Sequence, residues 1–361
     1  MHVRPFGADS IYTRLLPMGC RHCRRGSKMV LLITGRCDMS CFYCPLSAAK
    51  KDKDVIYANE LRTDDENEVL AEAELIRATG TGITGGDPLF VPDRTLHYIR
   101  LLKRHFGGGH HIHLYTSTVD ADLYRELEKA GLDELRLHPM VKNWKDLDSL
   151  RIAEAVSDLD IVFGFEVPMI PGLMSETRSL IGYASDNVFD FVNLNELEFS
   201  ETNASRLKER GFAVKNDISA AVQGSEELAV VLALDDSFKV PIHYCSSSFK
   251  DRVQLRNRII RRARSVAEAY DLVTPEGMIV KGAVETEDPK AVIEMLKGMD
   301  VPADMFRYDD VKNRVEIAPW ILREIASDLP WCAYQVEEYP TADRLEVERE
   351  PLNRRKVKIR K

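Results

Sequence analysis

Lys28-Met29-Val30-Leu31-Leu32-Ile33-Thr34 runs directly into Gly35-Arg36-Cys37-Asp38-Met39-Ser40-Cys41-Phe42-Tyr43-Cys44-Pro45. The first seven residues form a short apolar run closed by a glycine, the pattern of a buried strand. The three cysteines that follow are spaced four and then three apart, in a loop leaving that strand. Such a loop can wrap three irons of a cubane, with thiolates as the ligands those clusters demand, and it leaves the fourth iron without a protein ligand. A structural zinc site would want a fourth protein ligand. The open iron matters because it can accept an exogenous chelating ligand.

Outward from this stretch, short apolar runs alternate with amphipathic segments to about Tyr270, the mark of βα units and a parallel sheet. Strands are expected at Lys28–Thr34, Gly80–Thr84, His110–Ser117, Glu134–His138, Asp160–Met169, Phe191–Phe199 and Val240–Cys245. Helices are expected between them, with Asp120 and Ser175 as N-caps. About six repeats result, so the expected fold is α/β, a partial (β/α)6 parallel barrel with a small C-terminal α+β appendage. The expected organisation is an N-terminal extension (1–27), the partial barrel (28–271), the appendage (272–352) and a basic tail (353–361). In the appendage, Met278–Glu285 reads as a strand, with Asp288–Lys297 and Val315–Leu329 as helices.

The cysteine loop, including aromatic Tyr43 directly before the third cysteine, resembles the cluster loop of the radical S-adenosylmethionine (SAM) superfamily. The wider stretch is similar to the group related to pyruvate formate-lyase activating enzymes. The resemblance implies a [4Fe–4S] cluster on Cys37, Cys41 and Cys44, with SAM chelated to the open iron through its amino and carboxylate groups. It also implies a reductant such as ferredoxin or flavodoxin, and reductive cleavage of SAM to methionine and a 5′-deoxyadenosyl radical that abstracts hydrogen. A second match is Thr84-Gly85-Gly86-Asp87-Pro88 at the end of the next strand. It resembles the family's Gly-Gly-Glu-Pro segment, which implies contact of Gly85, Gly86 and Asp87 with the SAM amino group.

Strand parity sorts the remaining candidates. His111, His113, Tyr115 and Ser117 share a face, as do Arg136 and His138, then Glu166 with Gly164 and Pro168, then Asn193 with Asn195. Helices would cover the apolar faces, so these polar residues should line the interior, and ligands of parallel α/β folds sit at the C-terminal strand ends. Ser117, His138, Glu166 and Asn195 are therefore expected to contact SAM or substrate. Glu196 and Glu198 have the opposite parity and rank lower.

Five of the seven cysteines fall between Cys20 and Cys44, a clustering that reads as metal binding rather than disulfides. Cys20 and Cys23 precede the first strand, and His243 and Cys245 share a face of the last. Together they make a candidate second metal site, either zinc or an auxiliary [4Fe–4S] cluster. The 361-residue chain carries a net charge of −8, yet Lys250–Arg264 holds seven basic residues and the tail from Arg354 is also basic. These stretches tilt the expected substrate toward RNA or another macromolecule. The alternatives are a glycyl-radical-type protein activase, a small-molecule enzyme, or a non-enzymatic iron–sulfur or zinc protein. No apolar run approaches the roughly 18–20 residues of a membrane helix, and no signal peptide is evident at the start, so the expected location is cytoplasmic.

Overall fold

The structure, a computed structural model, describes residues 3–187 and 189–353. The chain divides into two compact units, residues 1–255 and 256–361.

The first unit opens with a hairpin, β1 (Arg4–Gly7) and β2 (Ser10–Tyr12), then α1 (Met18–Arg24) and β3 (Lys28–Thr34). A short hairpin, β4 (Tyr57–Ala58) and β5 (Leu61–Arg62), precedes α2 (Glu66–Leu75) and β6 (Gly80–Gly85). Next come α3 (Pro92–Phe106), β7 (His111–Thr116), α4 (Ala121–Ala130), β8 (Glu134–Leu137) and α5 (Ile152–Val156). They are followed by β9 (Val162–Met169), α6 (Met174–Asp186), β10 (Phe191–Glu196) and α7 (Ala204–Glu209). A hairpin, β11 (Val214–Asn216) and β12 (Ser219–Val222), then α8 (Ser225–Ala233) and β13 (Ile242–Cys245) complete the series.

Among the described residues, β3, β6, β7, β8, β9, β10 and β13 pair in that order as parallel neighbours. This is an α/β unit built on a large parallel sheet. Every expected strand is present. Both sheet edges are covered, since β4 pairs antiparallel with β3 and β2 with β13, which leaves no long parallel edge open to a foreign strand. The segment expected as a separate N-terminal extension is thus built into the sheet unit.

The helices form where their ends are capped. The Asp120 side chain accepts from Leu123 N, and Gly131 closes α4 in the left-handed conformation. Ser175, expected as a cap, lies inside the first turn of α6, whose cap position is Leu173. The apolar parity of each strand faces the helices: Ile112, Leu114, Leu135, Leu137, Phe165, Val167, Val192 and Leu194 all join the main core cluster. The polar parity faces the other way and is nonetheless buried, with Glu134, Arg136, Glu166 and Asn193 among the least exposed residues.

Buried imidazoles give this unit an acid-sensitive stability. His110 is bonded to Thr81 Oγ1 at 2.8 Å, and burial lowers its pKa to about 4. His113, wholly enclosed, is held well below the ordinary imidazole value by burial and by Arg136. The unfolded chain takes up these protons near pH 6.5, the folded one only further down. Unfolding therefore binds protons between about pH 6.5 and 4, and stability falls as pH drops through that window. The melting temperature should decline from about pH 7 to 4.5, less steeply in His110→Gln. A flat profile in wild type would contradict this assignment.

The second unit carries an antiparallel sheet, with Ile279–Glu285 paired to both Arg314–Ile317 and Cys332–Glu338. Helices Pro289–Gly298 and Pro319–Ile325 pack their apolar residues on one core. The expected helix over 315–329 is instead the strand Arg314–Ile317 followed by the shorter helix. Pro319 can open a helix but cannot sit inside one. The dividing line also falls before the expected 271/272 boundary. Helix Arg256–Val266 belongs to this unit, where Arg262 Nε donates to Pro340 O and Ile260 packs against Gly277. The basic tail lies outside the described residues.

Candidate active site

One cavity of about 560 Å³ lies where the parallel strands end, the position that a βα fold leaves for ligands. It is lined by Cys37, Cys41 and Cys44, by Gly85 and Gly86, by Ser117 and His138, and by Asn195. All three thiols are free and half-buried. Burial pushes Cys37 up to about 11 and also raises Cys41. Thiols in that state need a metal to hold them as thiolates.

The glycines are required by close backbone approach. A Cβ on Gly85 would lie 2.3 Å from Thr34 O, and one on Gly86 would lie 2.2 Å from Arg36 O. The Gly85-Gly86 turn therefore lies flat against the start of the cysteine loop, and any side chain there would force the two apart.

Asp87 stands differently from its expected role. It is buried and does not line the cavity. Its Oδ1 accepts from Leu89 N (2.9 Å) and Thr116 Oγ1 (2.7 Å), and its Oδ2 accepts from Ser117 N (2.9 Å) and Thr118 N (3.2 Å). The carboxylate ties the turn after β6 to the end of β7, where Ser117 enters the cavity. Asp87→Asn would put an amide donor against backbone donors in a buried place, at a cost of about 1–3 kcal/mol. The expected result is a lower melting temperature and a raised KM for SAM. An unchanged KM would show that Ser117 does not depend on this tie.

His138 bridges the two halves of the site. Its Nδ1 bonds Glu166 O at 2.7 Å, which fixes the proton there and leaves Nε2 to accept from the Tyr43 hydroxyl at 3.0 Å. Burial lowers the pKa of His138, so it serves as a neutral acceptor. Tyr43, next to Cys44, is thereby anchored to β9.

Glu166 lies one layer below the cavity and does not line it. Its Oε2 is paired with Arg136 Nη1, and its Oε1 accepts from Asn195 Nδ2 at 2.7 Å. Arg136, fully buried, also donates from Nε to Glu134 Oε1 at 2.6 Å. Burial alone would raise the Glu134 carboxyl, but Arg136 and His111 beside it hold it at about 2. Glu166 thus contacts Asn195, which reaches the cavity, rather than the cavity itself.

Glu196 and Glu198 do line the cavity, against their parity, because β10 ends at Glu196 and the alternation ends with it. Arg206, which no spacing announced, donates to Cys41 O at 3.2 Å. Its neighbours Thr202 and Asn203 donate to Leu46 O (2.6 Å) and Tyr43 O (3.0 Å). The basic stretch is not one exposed face. Lys250 is paired with Glu198 at the cavity and Arg262 is buried in the second unit. Cys20 and Cys23 lie in α1 and, with Cys245, are buried away from this cavity.

A parallel α/β sheet whose strand ends gather three free thiols and a double-glycine turn offers the donor set that an iron–sulfur enzyme needs, with room beside it for a small ligand. The Radical SAM superfamily matches residues 31–145, and a domain of unknown function (DUF8061) matches residues 277–352. A putative glycyl-radical enzyme activating enzyme of Methanocaldococcus jannaschii is 39% identical over 96% of this chain and 95% of its own length. A GTP 3′,8-cyclase of Clostridium botulinum is 27% identical over 49% of this chain and 54% of the relative. Among solved structures, methylornithine synthase aligns with 13% identity and a TM-score of 0.38, over 58% of this chain and 65% of that one. The chain belongs to the radical SAM superfamily, in the group related to pyruvate formate-lyase activating enzymes. It is an enzyme that uses SAM, a [4Fe–4S] cluster and a reductant.

Proposed function

We propose that Cys37, Cys41 and Cys44 hold the cluster, and that SAM lies against Gly85, Gly86, Ser117, His138 and Asn195. The radical would then be delivered to a polypeptide, as in a glycyl-radical activase. The single observation that carries this reading is the shared cavity: all eight residues line it. The donor set fits the group, since three free thiols leave one iron for an exogenous ligand. The same reading takes the parallel sheet to curl into a partial barrel around its polar face, and ferredoxin or flavodoxin to supply the electron.

When bound, the reduced cluster supplies one electron that splits SAM into methionine and a 5′-deoxyadenosyl radical, which takes a hydrogen atom from the substrate. The chain's own residues position and enclose. The Gly85-Gly86 backbone offers close approach to a ligand without a side chain between. His138 and Asn195 line the cavity wall, each held from behind by Glu166 through its carbonyl or its carboxylate. Arg206, Thr202 and Asn203 hold the cysteine loop by its carbonyls.

A polypeptide is favoured over RNA on two grounds. The 39% identical relative is named as an activating enzyme, and two members of the basic stretch are turned inward. The test is anaerobic reaction with SAM, a reductant and glycine-containing polypeptides, read by 5′-deoxyadenosine release and by electron paramagnetic resonance. A polypeptide-dependent rise in 5′-deoxyadenosine supports the reading. A rise caused by RNA instead, lost steeply with added salt, would overturn it.

A further inference from the structure

Four ligating side chains lie in the first unit outside the active-site cavity, and the site described above uses none of them. Cys20 and Cys23 are one helical turn apart in α1, both buried and both free. Spacing of i and i+3 puts them on one helix face. His243 and Cys245 are two apart in β13, also buried, and so point to the same side of the sheet.

The register brings the pairs together. His243 lies opposite Asn193 of β10, and Cys245 opposite Asn195. The Cys20 thiol is 4.0 Å from Asn193 Oδ1, beside the place that His243 takes on the neighbouring strand. The peptide of Gly19 donates to Glu134 at 3.0 Å, which fixes α1 on this face. The helix also packs against the π-helical segment Lys250–Leu255, whose Gln254 donates to Cys245 Sγ at 3.6 Å.

His243 supplies the independent observation. It is 2% exposed, and neither of its ring nitrogens has a hydrogen-bond partner. The ring of Phe6 meets it edge-on at 5.3 Å and offers it nothing polar. A buried imidazole with both nitrogens unsatisfied forfeits its hydration without return, a cost that folded proteins rarely carry without reason. Imidazole and thiolate together are the donors that thiophilic metals select.

We propose that Cys20, Cys23, His243 and Cys245 form a second metal centre, with three sulfur donors and one imidazole, on the polar face of the sheet. Among the described residues no three His, Cys, Asp or Glu side chains stand close enough to share one ion as they are placed, so the four would close on the metal as it binds. Three thiolates and an imidazole are donors that an iron–sulfur cluster or a zinc ion takes.

The test uses the full chain carrying Cys37→Ala, Cys41→Ala and Cys44→Ala, purified anaerobically, offered iron with sulfide or zinc, and passed through EDTA. Metal and acid-labile sulfide are then measured per chain. The expected result is about four irons with sulfide. About one zinc would equally support the centre and make it mononuclear. Adding Cys20→Ala and Cys23→Ala should abolish the retained metal, with circular dichroism reporting the fold. Should that variant fail to fold, His243→Gln, which keeps every thiol, should release the metal to EDTA. No metal in the triple variant, or metal that survives both further changes, overturns the proposal. Neither result bears on the cluster of the wild-type active site, which is assayed separately.

Discussion

Replacing Cys37, Cys41 and Cys44 together with alanine should abolish 5′-deoxyadenosine formation, a fall of more than ~10³-fold out of the ~10⁶-fold or greater acceleration typical of enzymes. About four irons should go with it. The fold should survive, because the three cysteines are half-exposed in an irregular loop and that loop is held by Arg206, Thr202 and Asn203 through backbone carbonyls. Those contacts do not involve the thiols. A thermal melt close to wild type, beside lost iron and lost turnover, separates a site effect from unfolding. Undiminished 5′-deoxyadenosine from the variant would remove these cysteines from the chemistry.

The second large effect is on stability. Arg136→Met should cost about 3–5 kcal/mol, the usual result of stranding buried charges. Arg136 is fully buried between Glu134 and Glu166, and methionine would leave two carboxylates in the interior without the guanidinium that pairs with both. At about 2–4 °C per kcal/mol for a unit of this size, the melting temperature should fall by roughly 6–20 °C. Adding Glu134→Gln and Glu166→Gln should restore part of the loss, because the stranded charges go with the cation. Full destabilisation in the neutral triple variant would instead assign the loss to Arg136's contacts with the Tyr115 and Phe191 rings, each about 5.3 Å from the guanidinium.

Much of this architecture was legible because strand parity is a strong physical constraint. A residue at Leu114 or Val167 must face helices, so its neighbours His113 and Glu166 must face the other way. What parity cannot say is depth. Ser117, His138 and Asn195 reach the cavity, while Glu166 serves from beneath it, held by a partner on the next strand. Glu134 went unremarked for the same reason: it lies on the correct face, at the end of the sheet away from the cavity. The Asp87 role was hidden by the resemblance itself. The motif drew attention to a ligand, whereas five donors from the end of β7, the residues just after it and the turn after β6 fill the carboxylate. Arg206 and Asn203 carried no signal at all, since a side chain that bonds a remote carbonyl has no sequence period. The misread helix over 315–329 had one, and it was Pro319.

The clamp on the cysteine loop carries a consequence for the order in which the protein is made. The carbonyls of Tyr43, Cys44 and Leu46 are gripped by Thr202 and Asn203, some 156 to 160 positions later in the chain. On a ribosome moving at about 5–20 residues per second, the loop waits roughly 8–32 s for its clamp. During that interval its three thiols hang on an unfinished sheet that lacks β9 and β10. The backbone of the cysteine loop is therefore fixed only once the chain has been made past Asn203.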